Sequence, residues 1–88
     1  MLSKPKDEAL KRLNYIQGHL EGVRKMVQEE KYCVDILKQL YAVRKAVEKM
    51  EGVLLDGHLH SCVIDAIKEG NAEDVIQELE ELYALANK

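Results

Sequence analysis

Cys33, His58 and Cys62 are the residues best suited to chemistry in this 88-residue chain, which holds two cysteines and three histidines in all. Two thiolates and one imidazole form a soft, low-coordinate donor set. That set favours Cu(I), with Zn(II) possible if water or another residue supplies a fourth ligand. His58 and Cys62 are four residues apart, a spacing that lets two side chains of one helix grip a single ion. The same thiols also fit redox or persulfide sensing, with His58 favouring a thiolate. Two buried, inert cysteines are the bland alternative.

The elements that position these residues are read from apolar periodicity. A first helix is expected to start after Pro5, with Asp7 and Glu8 near its positive end, and to continue to about Glu30. Leu10, Leu13, Ile16, Leu20, Val23 and Val27 keep helical spacing along it. Gly18 and Gly22 within it fit either close packing of another backbone or a tolerant surface. A second helix is expected from near Tyr32, apolar through Ile36, Leu37, Leu40, Val43, Val47, Met50 and Leu54. It runs on to about Ile67 if Asp56-Gly57 is not a turn, and Gly70-Asn71 ends it. A third, Glu73 to Leu85, is expected to bury Val75, Ile76, Leu79, Leu82 and Tyr83.

On a continuous second helix, His58 and Cys62 project within about 20° of the Cys33 direction at roughly 100° per residue. Cys33 nevertheless lies about 37 Å from His58 along the axis. One chain cannot close the site. An antiparallel copy, crossing near Ala46 and Val47 with Ala42 alongside, brings Cys33 of one protomer to His58 and Cys62 of the other, giving two equivalent sites. His60 falls about 200° around the helix from His58 and is expected to face solvent. His19 reads as structural.

Bulk composition agrees with an oligomer. The 1–88 chain is one small all-α domain, near the size where a lone core is marginal. Its four aromatics are all Tyr, so the core must be aliphatic. No apolar run approaches bilayer length, and Met1 to Lys6 lacks a signal-peptide core, so a cytoplasmic protein with no membrane partner is expected. In such a reducing compartment the two cysteines are not expected to pair. Residues 1–50 hold eleven Lys/Arg against seven Asp/Glu, and residues 51–88 hold two against nine. The basic half fits a phosphate-binding face or a solvated mixed-charge surface. No phosphate-binding glycine motif or oxyanion loop is present, so an enzyme is not expected.

Nearly the whole chain resembles the CsoR/RcnR family of bacterial transcriptional regulators, in particular its copper-sensitive operon repressors. The segments that carry the resemblance are Leu10-Lys11-Arg12-Leu13, Gly18-His19-Leu20-Glu21-Gly22, Tyr32 to Leu40, Ala42-Val43 and His58-Leu59-His60-Ser61-Cys62. The resemblance implies three helices per chain, an antiparallel four-helix-bundle dimer assembling into a tetramer, and Cu(I) ligation by Cys33, His58 and Cys62. Nickel/cobalt members place a histidine where Cys62 stands. Formaldehyde-responsive members lack that cysteine, and persulfide sensors lack the histidine. Tyr32 and Glu78 match positions that hydrogen-bond around the ligating histidine.

The resemblance further implies that the metal-free form binds operator DNA through basic residues of the first two helices, and that Cu(I) releases it to derepress copper-resistance genes. Arg12 matches an arginine implicated in DNA contact, and Lys49 stands where some members have arginine; Gln17 replaces a residue that is often basic. Lys4, Lys6, Lys11 and Lys45 are expected to add phosphate contacts. A thiol- or persulfide-sensing repressor, and a copper-buffering protein without DNA binding, are the rival readings.

Overall fold

The computed structural model describes residues 3–88, and they form helices joined by two tight turns. Helix α1 spans Ser3–Gln28 and α2 spans Cys33–Gly57. A π-helical turn, His58–Val63, leads without a break into α3, Ile64–Lys68, and α4 spans Ala72–Ala86. Among the described residues there is no strand. Gly57, His58, Val63 and Ile64 all keep right-handed helical dihedrals, so α2, the π turn and α3 are one rod. The chain is therefore three rods, as its periodicity predicts, and Asp56-Gly57 is not a turn.

One boundary differs from the sequence reading. Helix α1 begins at Ser3 rather than after Pro5. Proline is tolerated in a first turn because the N–H it lacks has no intrahelical acceptor there. Asp7 and Glu8 consequently lie beyond that turn, and Glu8 finds a partner in Arg12 instead of the helix end. Helix α1 closes with Glu30 in the left-handed region, its N–H bonding Val27 O while Lys31 N–H bonds Met26 O. Gly70 closes α3 in the same way, with Gly70 N–H on Ile67 O and Asn71 N–H on Ala66 O. There the sequence supplies the residue the conformation favours.

Helices α1 and α2 pack side by side through a narrow seam. Ala9, Ile16 and Val23, seven residues apart, are buried, and Val43 is their counterpart on α2. His19 Nε2–H donates to Gln39 Oε1 at 2.7 Å across the same pair, which makes His19 structural as expected. A second stripe at the same repeat, Leu13, Leu20 and Val27, remains exposed. Among the described residues Gly18 and Gly22 meet nothing within 4 Å, so none of that backbone packs on them.

Helix α4 departs further from expectation. Val75 is buried and Leu79 half-buried, but Ile76, Leu82 and Tyr83 lie open. The protomer measures 56 × 30 × 14 Å with a radius of gyration of 17.4 Å, where a compact chain of this length would have about 12 Å. A slab one helix thick has no interior for three apolar faces. Exposed apolar faces of this extent mark an interaction surface.

Candidate metal centre and basic groove

The structure places the three proposed ligands on one rod but at opposite ends. Cys33 is the first residue of α2, immediately after the exposed Tyr32 at its N-cap, whereas His58 and Cys62 lie in the π turn. Both cysteines are free and exposed, and His58 is half-buried. Among the described residues no group of three His, Cys, Asp or Glu side chains comes together in one protomer. The donor chemistry suits a soft ion, and the one chain does not assemble it.

The π turn corrects the helical-wheel reading. A uniform rotation per residue holds only to Gly57; beyond it the backbone bonds five residues apart rather than four, and the turn widens. Side chains approach the carbonyls that such a turn leaves accessible. Ser61 Oγ donates to Gly57 O at 2.7 Å, and His60 Nδ1–H donates to Asp56 O at 2.9 Å. Ser61 Oγ also lies 3.7 Å from Cys62 Sγ. Thus Ser61, which the sequence reading passed over, braces the turn beside a proposed ligand, while His60 is exposed and directed back along its own helix.

Two further contacts fix the surroundings. His58 Nε2 lies 3.9 Å from Glu78 Oε2, so α4 reaches the π turn through the carboxylate singled out from the sequence. The distance is longer than a hydrogen bond. Beside it, Leu54, Leu55, Leu79, Leu82 and Leu85 line an apolar cleft with His58 at its edge. Gly57 is buried against the ring of Pro5, which ties the start of α1 to the residue preceding the π turn. Tyr32 does not join this cluster within a protomer, because it belongs to the far end of α2.

A second site lies between α1 and α2. Lys4, Lys11 and Arg12 on one side and Lys45 and Lys49 on the other line one groove, with Asp7, Glu8 and Tyr15 among them. Ala42 and Ala46 form part of its floor, so these small residues face the groove shared with α1. Lys6 is exposed on α1 outside that lining. Arg12 Nη2 donates to Glu8 Oε1 at 3.0 Å. Lys45 lies 3.4 Å from Glu48 and 5.5 Å from the Tyr41 ring centroid. The sequence reading missed the Glu8–Arg12 pair, which its i,i+4 spacing could have signalled.

Comparison with known proteins resolves the kinship. A family model described as metal-sensitive transcriptional repressor matches residues 5–88. The chain belongs to this repressor family. It is 44% identical over 81 residues to the copper-sensing transcriptional repressor CsoR of Bacillus subtilis (strain 168), covering 92% of this chain and 80% of that protein. It is 38% identical over 78 residues to CsoR of Mycobacterium tuberculosis (strain ATCC 25618 / H37Rv), covering 89% of this chain and 66% of that protein. Its fold superposes on the crystal structure of CsoR with Cu(I) from Geobacillus thermodenitrificans NG80-2 with a TM-score of 0.92 at 35% identity. That match covers 100% of this chain and 92% of the other. The nickel-responsive regulator InrS is also similar, with a TM-score of 0.73 and 40% identity over 85% of this family member and 84% of InrS. The all-α fold and the CsoR/RcnR kinship read from the sequence are those of the family.

Proposed function

We propose that this family member is a Cu(I)-responsive repressor that acts in the cytoplasm and has no catalytic step. In this reading its metal-free oligomer holds operator DNA through the basic groove, and Cu(I) weakens that hold to derepress copper-resistance genes. The observation that carries the reading is the distribution of the ligands: Cys33 opens the second rod, His58 and Cys62 lie near its other end, and an unpaired apolar face runs beside them. An antiparallel dimer satisfies both needs at once, burying the face and completing two identical sites. A pair of such dimers gives the tetramer.

Cys33 of one protomer and His58 and Cys62 of its partner would supply two sulfurs and one nitrogen. Bound there, Cu(I) joins opposite ends of two second rods. Ser61 steadies the wide turn that carries two of the ligands. Glu78 stands where a small movement lets it accept the remaining imidazole N–H, and Tyr32 of the other protomer comes alongside Cys33. A Zn(II) site would need a fourth ligand, and His60 is already engaged with Asp56.

The relatives named for copper sensing add support, as does the placement of Arg12, Lys4, Lys11, Lys45 and Lys49 in one groove. Lys6 extends the basic surface of α1. A duplex selected from a random-sequence pool by the metal-free protein, then titrated anaerobically with and without Cu(I), tests the proposal. Weaker binding with Cu(I) is expected. Equal affinities would remove the switch, and binding of Cu(I) without any duplex selected would leave a copper buffer. Both cysteines are exposed, which keeps a thiol-sensing repressor in view. In that case His58→Ala would retain the response that the copper reading requires it to lose.

A further inference from the structure

Two cations of the basic groove meet a carboxylate of their own helix, Lys45 with Glu48 at 3.4 Å and, more closely, Arg12 with Glu8. Arg12 Nη2 donates to Glu8 Oε1 at 3.0 Å, with the two side chains 35% and 43% exposed. The Arg12 Nε is shielded from solvent and has no hydrogen-bond partner among the described residues. Arginine binds a phosphate best with two parallel N–H groups. Here one of those donors is already engaged, and its neighbour is left unsatisfied.

We propose that Glu8 is an internal stand-in for a DNA phosphate, holding Arg12 in the groove in the free protein and giving it up when DNA binds. This rests on the reading that the groove takes DNA. The exchange replaces a carboxylate by a phosphate oxygen on Nη2 and gives Nε its missing acceptor. Glu8 is thus a positioning residue with two opposed effects. It keeps Arg12 extended towards the groove, and it subtracts one charge from the face that meets the phosphates. The second effect dominates once DNA is present, because the displaced carboxylate stays beside the incoming phosphate.

The test compares the unsubstituted protein with Glu8→Gln on the selected duplex at several salt concentrations. Glu8→Gln keeps a side-chain oxygen for Arg12 and removes the charge. Binding should tighten by about three- to tenfold, and the slope of log affinity against log salt should steepen by roughly 0.9, the value for one additional effective cation. Asp7→Asn removes the same charge from the same groove, where no ion pair ties Asp7 to Arg12, and should have a clearly smaller effect. In an Arg12→Ala background Glu8→Gln should add little, because the coupling between the two is then gone.

Unchanged or weaker binding by Glu8→Gln would overturn the proposal, as would an equal gain from Asp7→Asn, which would mean that only net charge matters. If the unsubstituted protein selects no duplex, both this inference and the repressor reading fail. If it does and Glu8→Gln is silent, only this inference fails.

Discussion

Gly57 lies against Pro5 so closely that a Cβ added at position 57 would stand 2.9 Å from both Cβ and Cγ of the proline ring. The contact joins the beginning of α1, where Lys4 lines the basic groove, to the residue directly before the π turn that carries His58 and Cys62. The basic groove and the proposed ligands are thereby tied together through the packing of two rods.

Gly57→Ala should therefore destabilise the protein although it improves helix propensity. Overpacking costs about 1–3 kcal/mol and the propensity gain returns up to about 1 kcal/mol, leaving a net loss of about 1 kcal/mol. In a Pro5→Gly background the clash is absent and the same change should be neutral or stabilising. Urea denaturation of the four proteins at one fixed concentration checks this, since an oligomer's stability depends on concentration.

The site between subunits can be tested by mixing. Cys33→Ser and Cys62→Ser proteins each lose both symmetric sites. A mixed dimer regains one, made from the intact Cys33 of one protomer with the intact His58 and Cys62 of the other. Competition against a Cu(I) chelator should show tight binding recovered only after the two variants are unfolded and refolded together. Tight binding by either variant alone would contradict an intersubunit site.

Glu78→Gln separates sensing from holding DNA. The carboxylate stands 3.9 Å from His58 and is not among the residues that line the basic groove, so metal-free duplex binding should be unchanged. Cu(I) affinity should fall by roughly tenfold, the usual scale for losing a partner of a ligating histidine. The release of DNA at saturating Cu(I) should be blunted as well. Chelator competition and duplex titration report the two quantities separately.

Much of this was legible in the sequence because it depends on local pattern. The three rods follow from apolar spacing, Gly70 marks the end of the second, and Cys33, His58 and Cys62 stand out by type. The π turn left no such mark. It differs from an α turn by one residue per hydrogen bond, and the apolar pattern of Leu54, Leu55, Val63 and Ile64 accommodates either. The contact of Pro5 with Gly57 spans most of two helices, and no local rule reports it. The expected burial of Ile76, Leu82 and Tyr83 was wrong for the protomer, because composition reports what must be covered and not which molecule covers it. The Glu8–Arg12 pair was missed: a start after Pro5 assigned Glu8 to the helix end, and the two residues by which α1 extends before Pro5 remove that role.

Cu(I) and DNA are proposed to oppose one another through the same oligomer, and linkage makes this testable from the metal side alone. If Cu(I) weakens DNA binding by some factor, DNA must weaken Cu(I) binding by the same factor. The direct measurement is an anaerobic chelator competition for Cu(I), run on the free protein and on the protein saturated with its selected duplex. Lower Cu(I) affinity is expected on DNA, by the factor that Cu(I) imposes on duplex affinity. Identical Cu(I) affinities in the two states would contradict it.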